Sequence, residues 1–337
     1  METTQSRLLH RSYSADLIKA ISIIAVVFIH AYSLIPFSPS YNHWVSPILR
    51  FCVPVFVMLW AYFFELSIST REKKLAYLAT KFYRFLIPFF IWSAVYFFYV
   101  ADTLNMSFIQ IVVRYWTGYG WSGQYYFIIL LQLIIFFTAI SLVARYIAHY
   151  SVTVFIVSIF FYGFVSYFPW FSHGVMGKIG DRIFIYWIPY VLLGIIYARR
   201  GFSNLLAVPP MVMVCALIFI PLEYYFLHPS LSAYLVPSVF IVTVLMVNSI
   251  MKGYAVERNP GSSLSKVVKI LSANTLGIFC LNPLIIIVFS RWYHLQNYNL
   301  QFPFCFVIVP LFSTFLVITT SLLIALFLKR IKLGMLV

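Results

Sequence analysis

The sequence has little charge, and acidic residues are the scarcest of all. Only 9% of its 337 residues are charged, and 8 Asp and Glu stand against 23 Lys and Arg. A soluble domain needs a larger share of charged surface, so the composition excludes one. With 63% hydrophobic residues and a mean hydropathy of +0.95, the chain is predicted to be an all-α, polytopic bundle of transmembrane helices in a lipid bilayer.

The motifs of several enzyme classes are missing as well. The sequence has no Walker loop, no Gly-x-Ser-x-Gly nucleophile and no cluster with metal-ligand spacing. We therefore expect no metal, no tightly bound cofactor and no covalent acyl-enzyme. The cysteines lie singly in apolar segments, which favours packing over disulfides: Cys52, Cys215, Cys280 and Cys305.

Apolar runs predict about ten membrane spans in a single domain that covers residues 1–337. The predicted spans are roughly 15–36, 46–66, 82–101, 124–143, 151–168, 182–198, 207–226, 231–250, 270–290 and 302–328. Basic residues lie mostly on the side of the two termini, except Arg50, Arg114, Lys178, Arg182 and Arg291. By the positive-inside rule both termini are predicted to be cytoplasmic. The net charge of +15 then reflects topology, and no nucleic-acid partner is expected.

The first predicted span contains two ionisable residues within an apolar run. Lys19 and His30 are eleven residues apart, which returns to nearly the same helix face about 16 Å further along the axis. His30 is either a packing histidine that bridges two helices or a functional group. Lys19 either extends to the cytoplasmic interface or binds an anionic ligand. Asp16 either pairs with Lys19 or acts as a charge at the helix N-terminus.

Five segments occur in the order and spacing of a known family. They are Asp16-x-x-Lys19 followed by His30, then residues 53–63 (VPVFVMLWAYF), 81–88 (KFYRFLIP), 123–127 (GQYYF) and 271–283 (LSANTLGIFCLNP). From residue 13 to residue 290 the chain resembles acyltransferase family 3, the membrane O-acyltransferases that modify bacterial surface glycans. Segments 81–88 and 123–127 are most similar to the branch that includes the intercellular-adhesin polysaccharide modification protein.

The resemblance implies ten core helices, an acyl-CoA donor that enters from the cytoplasm, and transfer to a sugar hydroxyl at or across the bacterial cytoplasmic (inner) membrane. The family's basic residue and histidine of the first helix correspond to Lys19 and His30. Its paired basic residues of the third helix correspond to Lys81 and Arg84. Acetyl-CoA or another acyl-CoA is then the expected co-substrate. His30 is the expected general base, because a neutral imidazole can take the hydroxyl proton.

Three positions depart from the pattern of the family. Lys19 stands where Arg is usual, which removes bidentate phosphate recognition at that place. The Ser-Gly-Tyr segment of the second helix is Trp-Ala-Tyr at residues 60–62, and the frequent His of the Tyr-Leu-x-His-Pro motif is Asn282. We expect any role of that His to be lost here. Asn274 and Asn282 are predicted to make interhelical hydrogen bonds.

Further candidates lie at the ends of predicted spans. Lys81 and Arg84 either mark the cytoplasmic side or bind the phosphates of coenzyme A. At the start of a helix Arg84 would gain nothing from the helix dipole, which favours a phosphate ligand. Candidates for acceptor binding at the outer boundary are Trp121, Gln124, Tyr125 and Glu223. The aromatic ones could equally be interfacial anchors, and Glu223 could equally pair with Arg182 or Arg291.

These features predict a multi-pass O-acyltransferase that moves an acyl group, in the simplest case acetyl, from acyl-CoA to a surface polysaccharide or a lipid-linked glycan. Two alternatives remain open. One is a glycan exporter in which His30 relays protons, and the other is a non-catalytic partner of polysaccharide-synthesis machinery. The lack of visible inverted halves counts against the exporter.

Overall fold

The computed structural model describes residues 13–32, 45–100, 106–168, 180–228, 232, 234–254, 262–293 and 305–337. Within these ranges the secondary structure is helical and no strand occurs, which confirms the all-α prediction for them. The described α-helices of nine or more residues are α1 (Tyr13–Tyr32), α2 (Cys52–Ser69), α3 (Lys74–Val100), α4 (Phe108–Trp116), α5 (Gln124–Ile147), α6 (Ser151–Tyr167), α7 (Ile188–Arg200), α8 (Pro210–Leu227), α9 (Pro237–Ser249), α10 (Ser263–Ala273), α11 (Thr275–Tyr293) and α12 (Cys305–Arg330).

Helix length supports fewer clear spans than the sequence predicts. In the described part of the chain, 6 segments are long and apolar enough to cross a membrane, or 7 if the bent pair α10–α11 is one span. One of them, Gln124–Tyr167, has 44 residues and contains both α5 and α6, so it covers two predicted spans. The predicted spans 182–198 and 231–250 correspond to the short helices α7 and α9, of 13 residues each. The number of ten spans and the side of the termini therefore stay predictions.

Some predicted features fall outside the described residues. These are the span ends at 33–36, 101, 231, 233 and 302–304, together with Lys178 and the side chains of Arg291 and Cys305.

Prolines explain where three helices begin. Pro189, Pro210 and Pro237 occupy the first or second position of α7, α8 and α9. The first turn of a helix has no use for the N–H that proline lacks, and the fixed φ of proline already suits a helix.

Helices α1 and α7 each pack against several other helices, and α2 packs against both of them. Helix α1 contacts α2, α10, α11 and α12, whereas α7 contacts α2, α5 and α6. Where α2 crosses α7, a Cβ on Gly194 would lie 2.4 Å from the Met58 carbonyl oxygen, so glycine is needed for this close approach. The buried Glu65 of α2 also pairs with Arg199 of α7, with 2.6 Å between Oε1 and Nη2. Helix α2 thus connects the helices that pack around α1 with those that pack around α7.

Candidate functional site

A cavity of about 400 Å³ lies between α1, α2, α3, α5 and α11. Its volume is in the range of small-molecule sites. Lys19, Lys81 and Arg84 line it, and none of the described residues in its wall is acidic. Much of the remaining wall is aromatic, including Trp60 and Phe279. The cavity therefore suits a ligand that carries both negative charge and an apolar portion.

The three cations reach the cavity from two helices. Lys19 lies on α1 with its Nζ 4.5 Å from the ring centre of Phe63. Lys81 lies on α3 with its Nζ 5.2 Å from the ring centre of Tyr77. Arg84 follows Lys81 by three residues, so both side chains occupy one face of α3. The structure thus brings together the three residues that the sequence assigned to donor binding, although their role stays a prediction.

The prediction that Arg84 lies at the start of a helix is wrong. Helix α3 begins at Lys74, not next to Arg84, so Arg84 lies well inside the helix and the dipole of the first turn does not act on it. Its position in the cavity wall is the observation that now favours an anionic ligand.

His30 lies near the other end of α1 and contacts α11. Its Nδ1 is 2.5 Å from Oδ1 of Asn282, so the histidine bridges two helices as one interpretation of the sequence predicted. Asn282 follows Phe279 by three residues, and Phe279 lines the cavity. His30 thus contacts α11 at a residue about one helical turn beyond the cavity wall, and it lies about 16 Å along α1 from Lys19.

Pro283 interrupts the backbone hydrogen bonds of α11 in the segment that faces His30. Pro283 has no N–H, so the carbonyl oxygen of Phe279 lacks its usual partner. Asn282 Nδ2 donates to this oxygen at 2.8 Å and to that of Ile278 at 3.0 Å. The Tyr96 hydroxyl donates to the Cys280 carbonyl oxygen at 2.7 Å and accepts from the Leu284 N–H at 2.9 Å. Side chains thus replace the backbone hydrogen bonds that the proline disrupts.

The loss of any role of the family's histidine at position 282 stays a prediction, but Asn282 is placed beside the candidate base. Asn282 is fully buried and contacts His30 directly. The prediction of interhelical hydrogen bonds is confirmed for Asn282, and also for Asn274, whose Oδ1 accepts from Lys329 Nζ at 2.6 Å.

Trp121 and Gln124 are buried, so neither is an interfacial anchor. The Trp121 ring stacks on Tyr96 at 4.6 Å between centroids, and its Nε1 has no hydrogen-bond partner among the described residues. Gln124 donates to Ser93 Oγ at 2.8 Å and accepts from the Gly120 N–H at 2.7 Å. Its amide therefore connects the loop before α5 to α3.

Glu223 does not form the ion pair with Arg182 that the sequence left open. Its Oε1 accepts from the Tyr167 hydroxyl at 2.5 Å, and its Oε2 accepts from the Ser238 N–H in the first turn of α9 at 2.9 Å. Arg182 instead pairs with Asp181 at 3.4 Å. Glu223 thus joins three segments of the fold, and we expect its contribution to an acceptor site to be indirect.

Sequence reasoning missed Arg50, which it used only as a marker of topology. Arg50 donates to the Tyr234 hydroxyl and to Ser46 Oγ, both at 2.9 Å. Its Nε has no hydrogen-bond partner among the described residues. Tyr234 in turn contacts Tyr125, with 6.0 Å between ring centroids. One feature of the sequence could have indicated a role for Arg50. It is a single arginine beside an apolar run, on the side of the membrane where few basic residues are predicted.

Comparison with known proteins supports one assignment. The family model described as an acyltransferase domain, of acyltransferase family 3, matches residues 12–329. No curated protein and no solved structure matches the chain. Since the family model covers nearly the whole length and the described helices are apolar, the chain belongs to acyltransferase family 3 and is a membrane acyltransferase.

Proposed function

We propose that this chain is an acyl-CoA:glycan O-acyltransferase of the bacterial cytoplasmic membrane. It transfers an acyl group, in the simplest case acetyl, to a hydroxyl of a surface polysaccharide or a lipid-linked glycan. The observation that carries the proposal is the arrangement on α1, where a cavity cation and a deep imidazole share one helix.

The cavity wall supports a long, polyanionic donor. Coenzyme A carries a diphosphate and a 3′-phosphate, and the wall offers Lys19, Lys81 and Arg84 without a described acidic residue. Lys19 and His30 are about 16 Å apart along the helix, farther than any side chain extends. A donor held by its phosphates at the cations therefore needs a long arm to present its acyl group to His30. The pantetheine arm of coenzyme A meets this need, whereas acetyl phosphate does not.

The proposed reaction needs one general base and no acyl group bound covalently to the enzyme. His30 takes the proton of the acceptor hydroxyl while the oxygen attacks the thioester carbonyl carbon. The new C–O bond forms, the C–S bond breaks, and the proton passes from His30 to the leaving thiolate to give free coenzyme A. No covalent enzyme intermediate is needed, in keeping with the lack of a nucleophile motif.

We expect the acceptor to bind beside Arg50 and Tyr234. Guanidinium and phenol groups donate hydrogen bonds to sugar oxygens, and the rings of Tyr125 and Tyr234 offer apolar faces. Trp121 has an unpaired Nε1 among the described residues and also remains a candidate. In this proposal the donor occupies the cavity, and the acceptor binds beside Arg50.

The test uses purified protein in lipid nanodiscs with radiolabelled acetyl-CoA and short-chain polysaccharide. We expect label transfer by the wild type and a loss of about 10²- to 10⁴-fold in His30→Ala, the usual contribution of a general base. His149→Ala is the matched control, because His149 is exposed and contacts Arg200 away from the cavity. Equal rates in the wild type and His30→Ala would refute the proposal, and glycan flux without acyl-CoA consumption would favour an exporter.

A further inference from the structure

The amide of Asn282 can face His30 with only one of its two ends. Nδ2 lies within hydrogen-bond distance of two carbonyl oxygens, those of Ile278 and Phe279, and donates to both. Turning the amide over would set Oδ1 against these two oxygens, and acceptor would then face acceptor. The amide oxygen therefore faces His30, at 2.5 Å from Nδ1.

The neighbouring proline is the reason that this orientation is fixed. Phe279 is four residues before Pro283, and proline cannot supply the N–H that a regular helix would offer to the Phe279 carbonyl. The buried oxygen needs another donor, and the preceding residue provides it. The sequence Asn282-Pro283 thus determines which atom of the amide points towards α1.

We propose that Asn282 is the positioning residue that sets the tautomer of His30, with the hydrogen on Nδ1 and the lone pair on Nε2. An amide oxygen has no hydrogen to give, so Nδ1 must be the donor in this contact. The neutral ring then has its basic lone pair on Nε2, whatever else surrounds it.

This inference rests on the proposed function for its consequence in catalysis. Nε2 takes the hydroxyl proton as the C–O bond forms, and the same proton leaves with the coenzyme A thiolate as the C–S bond breaks. While the ring is charged, the Nδ1–H bond to Asn282 Oδ1 stabilises it. Asn282 touches neither substrate and acts through His30.

Three variants separate positioning from folding. Asn282→Leu removes the acceptor. Asn282→Asp keeps an oxygen that faces Nδ1, although its second oxygen then meets the two carbonyl oxygens of α11 and should lower the melting temperature. Asn248→Leu is the matched control. Asn248 is likewise fully buried and makes two hydrogen bonds, both to the Ser203 backbone. The readouts are kcat, the KM for acetyl-CoA, the pH–rate profile, the melting temperature, and the ¹⁵N spectrum of histidine-labelled protein. The His30 signal is identified by its loss in His30→Ala.

We expect the ¹⁵N spectrum of the wild type at alkaline pH to show a protonated Nδ1 and an unprotonated Nε2. Asn282→Leu should lower kcat by about 10- to 100-fold, as for other groups that orient a functional histidine, with an unchanged KM for acetyl-CoA. Asn282→Asp should recover part of kcat and move the acidic limb of the pH–rate profile to higher pH, because a carboxylate stabilises the charged ring. Asn248→Leu should lower the melting temperature without moving the pH profile.

A wild-type spectrum with the hydrogen on Nε2 would overturn the inference. So would a folded Asn282→Leu protein with wild-type kcat. If Asn282→Leu does not fold, the wild-type spectrum and the Asn282→Asp profile decide. If the wild type transfers no acyl group, the proposed function fails, while the spectrum still decides the tautomer.

Discussion

Replacing Arg84 by alanine should weaken acyl-CoA binding through the loss of a phosphate contact. A hydrogen bond to a charged group contributes about 1.5–3 kcal/mol. The Arg84 side chain is exposed, so water screens the interaction and the lower end applies. At about 1.4 kcal/mol for each factor of ten, the Kd of coenzyme A should rise about tenfold.

The assay compares two ligands and two variants. Calorimetry on purified protein gives the Kd of coenzyme A and of acetyl-pantetheine, which has the same reactive end but no phosphates. Arg84→Ala should weaken only the binding of coenzyme A. Arg145→Ala is the matched control, because Arg145 is also exposed and lies in the last turn of α5, outside the cavity wall. It should change neither value.

Salt gives an independent check on the same contact. Raising the ionic strength should weaken coenzyme A binding to the wild type more than to Arg84→Ala, since the variant has one phosphate contact fewer to screen. The reasoning is refuted if Arg84→Ala loses affinity for both ligands alike, or if coenzyme A binding is unchanged. Equal losses would indicate a distorted cavity, not a missing charge.

Three further substitutions test other parts of the structure. Gly194→Ala should lower the free energy of unfolding by about 1–3 kcal/mol, because its Cβ would overlap the Met58 carbonyl; unchanged thermal melting would contradict the close helix crossing. Tyr96→Phe should cost about 1–3 kcal/mol by leaving two buried backbone groups of α11 unpaired. No loss in melting temperature would mean that these two backbone groups find other partners. Lys19→Arg should lower the KM for acyl-CoA, since a guanidinium binds phosphate through two hydrogen bonds. An unchanged KM would show that this side chain does not reach the phosphates.

The convergence of the three cavity cations was predictable from the sequence. Lys19 and His30 share a face because eleven residues make three helical turns, and Lys81 and Arg84 share one because they are three residues apart. The family resemblance supplied what periodicity lacks, namely that α1 and α3 border the same space. The short helices α7 and α9 were harder to delimit, since apolar sequence continues beyond them into turns.

The contact between His30 and Asn282 could not be predicted in the same way. The two residues are 252 positions apart, and helical periodicity says nothing about which helices are neighbours. The hydrogen bonds of Gln124 and Glu223 could not be predicted for a related reason. In the sequence both look like polar groups at the end of a span, but each binds a side chain of another helix and a backbone N–H, of a loop for Gln124 and of a helix start for Glu223. Such partners leave no pattern in the sequence.

The two helices that meet at His30 differ in the continuity of their backbone hydrogen bonds. Helix α1 contains neither proline nor glycine from Tyr13 to Tyr32, so its hydrogen-bond ladder is continuous and the distance from Lys19 to His30 is fixed. In helix α11 the backbone hydrogen bonds are interrupted at Pro283. The side chains of Asn282 and Tyr96 provide hydrogen bonds in their place. In the proposed reaction a continuous helix sets the distance from the phosphates of the donor to its acyl carbon, but its backbone offers no polar group to a neighbour. In α11 the Phe279 carbonyl has no backbone N–H as a partner, because Pro283 lacks one. The Asn282 amide donates to this carbonyl instead, and its oxygen is thereby held beside the imidazole of His30.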